Sequence, residues 1–503
     1  MRAQQPAIVA SGHPAVSQAA ATILDRGGNA FDAAIAAGFA AAMAEPALTS
    51  LGGGGFLLAR TAQGESTLFD FFVDTPGKGL AMEQLEPHFF PVTVKFSGSD
   101  QDFHVGLGSV AVPGALKGFL HVHGRLGRLP LAEVVKPAVS LARDGLIINQ
   151  QQSYFLNLLT PIMTMSATGR SLFAPNGVYL QEGDLFHNLP LAAFMEELGD
   201  NSSADFHHGH LARRIAADME TMEGLLTEED LASYRVIERI PLAMDYRGYR
   251  LLTNPPPSFG GELIGIALKL MEELDFSDMT WGSREHLLPM AGAMIAVEEF
   301  RAGQGGNGAA PAEQWYGATG QRLRTFSRGT THISVSDSEG NVAAMTTSNG
   351  EGSGYIVPTT GIMLNNMMGE DDLHPDGFHA TPPGQRVASM MSPSLLLGDD
   401  GVKLVLGSGG SKRIRTAITQ VLSNVIDFGF NLQDAINAPR LHWDGNTLQA
   451  EPGFAANSIG ALKEQWPVNV WPELEVYFGG VHAVMPGKEG AGDPRRGGHH
   501  LKR

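Results

Sequence analysis

The sequence predicts a layered protein that combines helices and strands, of either the α/β or the α+β class. Its 503 residues are enough for a large core, and 43% hydrophobic against 17% charged content indicates a compact globular chain. Helical spacing dominates the first half, whereas strands and glycine loops dominate the residues after 330. Helices followed by a strand-rich half are typical of packed layers.

Two helices and a glycine loop are predicted near the start of the chain. Residues 16–24 have helical apolar spacing, and Gly27-Gly28 ends that helix. An alanine-lined helix follows at about 31–44. The glycine run at 52–55 then leads into a strand at 56–60, and such a run is either a tight turn or a close approach of the backbone to a ligand.

Further helices are predicted at 131–142, after Thr227, and at about 415–428. The acidic residues that follow Thr227 favour a helix start there because they complement the N-terminal dipole. A stiff proline loop at 255–261 leads into another helix. Residues 302–329, rich in glycine, alanine and polar side chains, are expected to form a flexible segment.

The composition excludes several classes of function. A net charge of −18 and a pI near 5.4 argue against binding to nucleic acid or to an anionic membrane. The absence of cysteine excludes disulfides, zinc–thiolate sites and a cysteine nucleophile. No signal peptide is visible, so we expect a cytoplasmic protein, with a periplasmic or secreted location left open.

Histidine clusters invite a metal interpretation that the sequence does not support. His207, His208 and His210 have no carboxylate set of recognisable spacing nearby, so we expect a solvated loop. For His499 and His500 we expect a polar tail. We therefore predict no metal site.

A hairpin with hydroxyl groups at its open end is predicted after Gly329. Residues 330–336 alternate as a half-buried strand does, residues 337–340 form a turn, and residues 341–347 return. A turn centred on Ser338 and Glu339 places Thr330 opposite Thr347, with Ser348 as a diagonal neighbour. One hydroxyl group can then attack while another polarises it.

The Gly329-Thr330 pair suits a chain that cuts its own peptide bond. A threonine hydroxyl needs a base, and a free α-amino group with a pKa of about 8 provides one once the preceding bond is broken. Gly329 lacks a Cβ atom and tolerates strained backbone. Taken alone, the motif is better explained as an ordinary surface hairpin with threonines chosen for β-propensity, and the rest of the chain reverses that preference.

Motifs along nearly the whole chain resemble those of the γ-glutamyltransferase (glutathione hydrolase) family. In chain order they are residues 27–34, residues 51–56, Val112-Pro113-Gly114, residues 141–145, residues 245–249, the triple proline at 255–257, Thr330-Thr331-His332, Leu364-Asn365-Asn366, Met391-Ser392-Pro393, residues 407–411 and Asp493-Pro494-Arg495. Because so many occur in one order, the chain is identified as a member of that family.

The resemblance implies an N-terminal-nucleophile (Ntn) hydrolase fold of the α+β class, a four-layer αββα sandwich. It also implies a precursor that cuts itself into two associated subunits, here residues 1–329 and 330–503, with 302–329 as the flexible segment before the cut.

The implied chemistry is acyl transfer without a metal or an organic cofactor. Thr330 attacks the amide carbonyl of a small-molecule amide or peptide, and Ser348 stands where the family has its second threonine. Backbone N–H groups around Gly409 and Gly410 stabilise the oxyanion. Water or an amine then takes the acyl group.

The substrate-binding residues of the family are only partly retained. Phe72 occupies the position of the arginine that binds the glutamyl α-carboxylate. One serine of a pair remains as Ser389, followed by Met390, and Met367 replaces a glutamine. Asn349 matches the binding asparagine. The acid that holds the α-amino group corresponds to Glu370 or Asp371.

Loss of the arginine leaves the acyl group open. Lys78, Arg386, Lys412 or Arg413 is a candidate replacement cation, although a surface role is the simpler interpretation of each. The leading prediction is a γ-glutamyl hydrolase or transferase. The alternatives are an acylase or amidase for a non-glutamyl acyl group, and a binding protein without activity.

Overall fold

A computed structural model of the chain describes residues 5–81, 85–95, 100–200, 206–304, 329–374 and 377–503. Its helices are α1 Pro14–Asp25, α2 Ala30–Ala44, α3 Ala115–Leu126, α4 Leu131–Asp144, α5 Gln150–Leu158, α6 Thr160–Met163, α7 Ala167–Phe173, α8 Leu189–Asp200, α9 Gly209–Thr221, α10 Glu228–Ser233, α11 Gly260–Glu272, α12 Arg284–Gln304, α13 Arg413–Ile426, α14 Leu432–Asn437 and α15 Ala456–Lys463.

The strands are β1 Ile8–Ser11, β2 Gly54–Arg60, β3 Ser66–Phe71, β4 Phe90–Lys95, β5 Asp100–Val105, β6 Leu146–Ile147, β7 Leu185–Phe186, β8 Ile237–Arg239, β9 Leu242–Tyr246, β10 Tyr249–Thr253, β11 Thr331–Ser336, β12 Val342–Ser348, β13 Ile356–Val357, β14 Ile362–Met363, β15 Ser394–Gly398, β16 Gly401–Gly409, β17 Leu441–Trp443, β18 Leu448–Ala450, β19 Val468–Val470, β20 Gly480–Met485, β21 Glu489–Ala491 and β22 His499–Lys502.

Two large sheets lie face to face between two helical layers. Among the described residues, seven strands form one sheet in the order β22-β1-β11-β12-β2-β3-β8, and six form the other in the order β21-β20-β16-β15-β10-β9. Helix α2 packs on β11 and β12, whereas α13 packs on β16 and β20. This is the αββα sandwich that the family resemblance implies, so the fold prediction is confirmed.

Strands from before and after residue 330 are interspersed in the seven-stranded sheet, whereas in the six-stranded sheet four later strands lie beside two earlier ones. Strands β11 and β12 lie between β1 and β2, and β22 pairs with the other edge of β1. In the second sheet, β15 pairs with β10. The segments on either side of the predicted cut therefore share continuous backbone hydrogen bonding.

Strand β11 is buried over its whole length, which corrects the expectation of a half-buried strand. Ile333 and Val335 face the helical layer, and His332 faces the second sheet, where its ring occupies the space that a Cβ atom on Gly407 would need. The second sheet covers the face of β11 that carries His332, Ser334 and Ser336, so both faces of the strand are buried although this one is polar.

Two histidine predictions are also corrected. The His207 side chain is buried, with Nε2 2.8 Å from the Pro113 carbonyl oxygen, because it packs beside Tyr234 and is not in a solvated loop. His499 and His500 belong to β22, which extends the first sheet, and not to a polar tail. The described residues contain no group of three or more side chains placed to hold a metal ion.

The predicted flexible segment at 302–329 is described only at its ends. Its first three residues complete helix α12, and residues 305–328 lie outside the described residues. No described helix combines the length and the hydropathy that a membrane span requires.

Candidate active site

The Thr330 hairpin lies at the centre of the seven-stranded sheet, with a register one residue from the prediction. Thr331 pairs with Thr347, which brings Thr330 towards Ser348 itself rather than Thr347. The turn is longer than predicted because Asp337 Oδ1 accepts hydrogen bonds of 2.9 Å from three successive backbone N–H groups, at residues 339–341. This side chain adds one residue to the turn and shifts the pairing.

Gly329, Thr330 and Ser348 meet at the open end of this hairpin. Thr330 and Ser348 are both 4% exposed, and Ser348 Oγ donates a hydrogen bond to the Gly329 carbonyl oxygen. Ser348 Oγ also accepts from the Gly350 N–H group at 3.0 Å. The second hydroxyl group thus contacts the carbonyl of the peptide bond that the sequence predicts to be cut.

Close backbone approaches make glycine necessary around this point. A Cβ atom on Gly329 would lie 2.3 Å from the Gly350 carbonyl oxygen and 2.7 Å from that of Ala47. A Cβ atom on Gly53 would lie 2.1 Å from the Ser348 carbonyl oxygen. Of the two interpretations of the 52–55 run, the close approach is the one observed, and the neighbour is protein backbone.

The glycine loop after β16 lies against Thr330, the candidate nucleophile. A Cβ atom on Gly409 would be 2.3 Å from the Thr330 carbonyl oxygen, so Gly409 flanks that carbonyl. Gly410 and Ser411 both have positive φ, at 116° and 53°. Their N–H groups donate no hydrogen bond to another described residue. The free donors are thus at Gly410 and Ser411, one residue beyond the predicted pair.

An acidic side chain holds this loop in place. Asp372 Oδ2 accepts from Ser411 Oγ at 2.9 Å, and Asp372 Oδ1 lies 3.2 Å from Lys412 Nζ. A non-glycine residue at φ 53° needs such support because this conformation is sterically unfavourable. Asp372 is two residues from Glu370, so it connects the loop with the acidic segment.

Arg496 and Glu45 flank the nucleophile and were missed by the sequence reasoning. Arg496 Nη1 donates to the Thr330 carbonyl oxygen at 3.2 Å, and Glu45 accepts from Thr331 Oγ1 at 3.0 and 3.1 Å. Burial raises the pKa of Glu45 to about 7, and burial lowers the pKa of Arg496 to about 10. The signal for Arg496 is its position directly after the Asp493-Pro494-Arg495 motif.

Phe72 belongs to the core between the layers and presents no charge in place of the family's arginine. It is 1% exposed, and its ring stacks on Phe56 with centroids 5.5 Å apart. Tyr234 Oη donates to the Phe72 carbonyl oxygen at 2.6 Å. The Phe72 ring is therefore held by its packing on Phe56, and the Phe72 carbonyl group by its hydrogen bond from Tyr234.

The four candidate replacement cations all have other partners. Arg386 binds Asp74 and Asp70 at 2.6 and 2.5 Å, and Lys78 Nζ donates to Ser233 Oγ at 2.5 Å. Lys412 pairs with Asp372 as described. Arg413 donates to the Tyr477 carbonyl oxygen at 3.0 Å and lies over that ring. The buried and paired state of Arg386 and Lys412 corrects the expectation of surface roles.

The predicted acidic and polar binding residues divide into two groups. A Cβ atom on Gly350 would lie 2.5 Å from Glu370 Oε1, so Glu370 belongs to the site, whereas Asp371 is exposed. Asn349 is 2% exposed, and its Oδ1 atom has no hydrogen-bond partner among the described residues. Asn349 and Glu370 thus converge beside Ser348.

Ser389 is buried and structurally occupied. Its Oγ accepts from the Met391 N–H group at 3.1 Å, and its carbonyl oxygen accepts from Ser258 Oγ at 2.9 Å. Met367 and Met390 are buried in the same apolar cluster as Phe72. These three apolar side chains therefore extend the core and present no polar group in place of those that the family has.

Comparisons with known proteins agree with this architecture. The family model described as Gamma-glutamyltranspeptidase matches residues 16–312 and 298–502. A glutathione hydrolase proenzyme of Escherichia coli (strain K12) is 33% identical over 98% of this chain and 91% of its own length. The acylase ACY 1 proenzyme of Pseudomonas sp. (strain SE83) is 33% identical over 90% of this chain and 86% of its own. The crystal structure of a cephalosporin acylase from Bacillus halodurans superposes with a TM-score of 0.81 at 25% identity, over 99% of this chain and 96% of the other.

Proposed function

Because the chain belongs to the gamma-glutamyltranspeptidase family, a family of enzymes, we propose that it is a self-processing amidohydrolase or acyltransferase whose nucleophile is Thr330. The observation that carries the proposal is the meeting of Gly329, Thr330 and Ser348, with Ser348 Oγ bonded to the Gly329 carbonyl. The product chains are residues 1–329 and 330–503.

In the processed enzyme, the α-amino group of Thr330 takes the proton of its own hydroxyl as Oγ attacks the substrate carbonyl. The oxyanion that forms accepts hydrogen bonds from the N–H groups of Gly410 and Ser411. When the amide C–N bond breaks, the proton passes to the departing amine, which leaves an ester on Thr330. Water or another amine then attacks this ester, releases the acyl group and restores the hydroxyl.

Two functions are consistent with this chemistry, and they differ in the acyl group that the enzyme accepts. A γ-glutamyl group brings a carboxylate that needs a cation, yet Phe72 is a core side chain and the four candidate cations have other partners. Hydrogen bonds to charged groups contribute about 1.5–3 kcal/mol each. This favours an acylase for a non-glutamyl group over a γ-glutamyl enzyme.

Processing and nucleophile are tested together on a denaturing gel. The purified protein should give two bands, corresponding to residues 1–329 and 330–503, and Thr330→Ala should give one. Intact mass after incubation with amides should show an acyl group on the smaller chain. A wild-type chain that stays whole under all conditions contradicts the proposal.

A further inference from the structure

Two buried carboxylates stand next to the candidate nucleophile, and only one of them corresponds to a family position. Glu351 is 2% exposed and Glu370 is 5% exposed. Both adjoin Gly350 and Asn366: Asn366 Nδ2 lies 3.4 Å from Glu351 Oε2, and a Cβ atom built on Gly350 would lie 2.1 Å from Asn366 Oδ1 and 2.5 Å from Glu370 Oε1. Gly350 in turn donates to Ser348 Oγ.

A third acceptor lies in the same segment. Asn349 precedes Gly350, and its buried Oδ1 atom lacks a hydrogen-bond partner among the described residues. A buried carbonyl without a donor is unfavourable, which points to a donor supplied by a ligand. Two carboxylates and an amide oxygen together suit a group that carries several N–H donors and a positive charge.

The position from which the family binds a carboxylate is apolar in this chain and carries no cation. Phe72 and Met367 are buried apolar side chains there, at 1% exposure each. An acyl carboxylate bound there would meet apolar side chains, and the four candidate replacement cations have other partners. Burial of an unpaired charge is unfavourable, so this arrangement selects against a carboxylate.

From this we propose, on the basis of the function proposed above, that the enzyme acts on amides whose acyl group carries an ammonium group and no carboxylate. Glu370 and Glu351 bind the ammonium group, Asn349 Oδ1 accepts a hydrogen bond from one of its N–H groups, and the buried side chains of Phe72 and Met367 offer no cation for a carboxylate. Glu351 is thereby assigned as a specificity-determining residue.

Four p-nitroanilides separate the two charges at constant chain length. The γ-glutamyl compound carries an ammonium and a carboxylate, the 4-aminobutyryl compound only the ammonium, the glutaryl compound only the carboxylate, and the butyryl compound neither. We expect kcat/KM to be highest for 4-aminobutyryl, by about 10- to 100-fold over butyryl, since charge-assisted hydrogen bonds have this magnitude. Glutaryl should be lowest.

Glu351→Gln should lower the ratio of kcat/KM for 4-aminobutyryl to that for butyryl most of the way to one, chiefly by raising the KM for 4-aminobutyryl. Glu464→Gln, the same change at an exposed helix end, is the matched control and should keep the preference. An unchanged ratio in Glu351→Gln, or an equal fall of the ratio in Glu464→Gln, overturns the assignment.

The two proposals fail in different ways. A processed enzyme that prefers glutaryl or γ-glutamyl, shows no preference, or turns over none of the four anilides overturns the ammonium inference alone. A chain that neither processes nor forms an acyl-enzyme overturns the function on which that inference rests.

Discussion

The two regions of the candidate site differ in polarity. At the nucleophile end, polar groups converge: Thr330, Ser348 and the N–H groups of Gly410 and Ser411, with Arg496 on the Thr330 carbonyl. At the recognition end, Phe72 is packed as core. Under the proposed function, one set of residues carries the reaction and the other selects the acyl group, so the two can change independently.

The largest effect should come from the nucleophile end. Ser348→Ala removes the hydroxyl that binds the Gly329 carbonyl and should slow processing and turnover by about 10²–10³-fold, as loss of a positioned donor does. Ser348→Thr, which restores the family's hydroxyl residue, is the control and should stay active. The measurements are the rate of band conversion and kcat; equal rates in Ser348→Ala would remove Ser348 from the mechanism.

At the recognition end, a substitution should change stability rather than convert the specificity. Phe72→Ala removes a fully buried ring and should lower the free energy of unfolding by about 3–5 kcal/mol, measured with urea. Phe72→Arg places a charge in the same core and should not restore γ-glutamyl turnover. Efficient γ-glutamyl hydrolysis by Phe72→Arg would break the comparison. Phe72→Leu should be mild.

Glu45 tests the electrostatics behind the nucleophile. Its pKa of about 7 lies above the ordinary 4.5, so the folded state binds a proton more tightly than the unfolded state does. This contribution is complete below about pH 4.5 and is lost as pH rises to about 7. The unfolding free energy of the wild type relative to Glu45→Gln should therefore fall by about 3 kcal/mol across this window. A constant difference would contradict the raised pKa.

The smallest effect should come from the support of the oxyanion loop. Asp372→Asn weakens the contacts with Ser411 and Lys412 and should lower kcat by about tenfold with little change in KM, because a misplaced donor affects mainly the transition state. Asp400→Asn, in the exposed β15–β16 turn, is the control. A change confined to KM would place Asp372 on the recognition side instead.

Local patterns in the sequence predicted those helices and strands whose position depends on neighbouring residues and not on contacts with distant segments. The helix predicted at 31–44 is observed at 30–44, and that at 415–428 is observed at 413–426. The first is a run of alanines and other small or apolar residues, and it is buried on all sides. The hairpin was found one residue out of register, since the Asp337 side chain lengthens the turn. Burial of both faces of β11 depends on a second sheet that the period of the strand does not reveal.

In the candidate site, too, residues close together in the sequence were predicted and residues far apart were missed. Thr330, Ser348, Asn349 and Glu370 come from one hairpin and the segment after it, and the structure brings them together. Glu45 and Arg496 are more than 400 residues apart in the chain and meet only through the order of the strands. Their contacts with Thr331 and Thr330 could not be read from local spacing. The roles of the predicted site residues stay predictions.

The mixing of strands within the sheets has a consequence for the life of the protein. Cleavage after Gly329 would leave two polypeptides that pair with each other in both sheets, so neither could depart without the loss of backbone hydrogen bonds. The precursor folds as one chain, whereas unfolded cleaved protein must find its partner by collision. Refolding would then change from a first-order process to one that depends on protein concentration. The native state would form readily from the intact precursor, but only slowly, at low concentration, from the two separated chains.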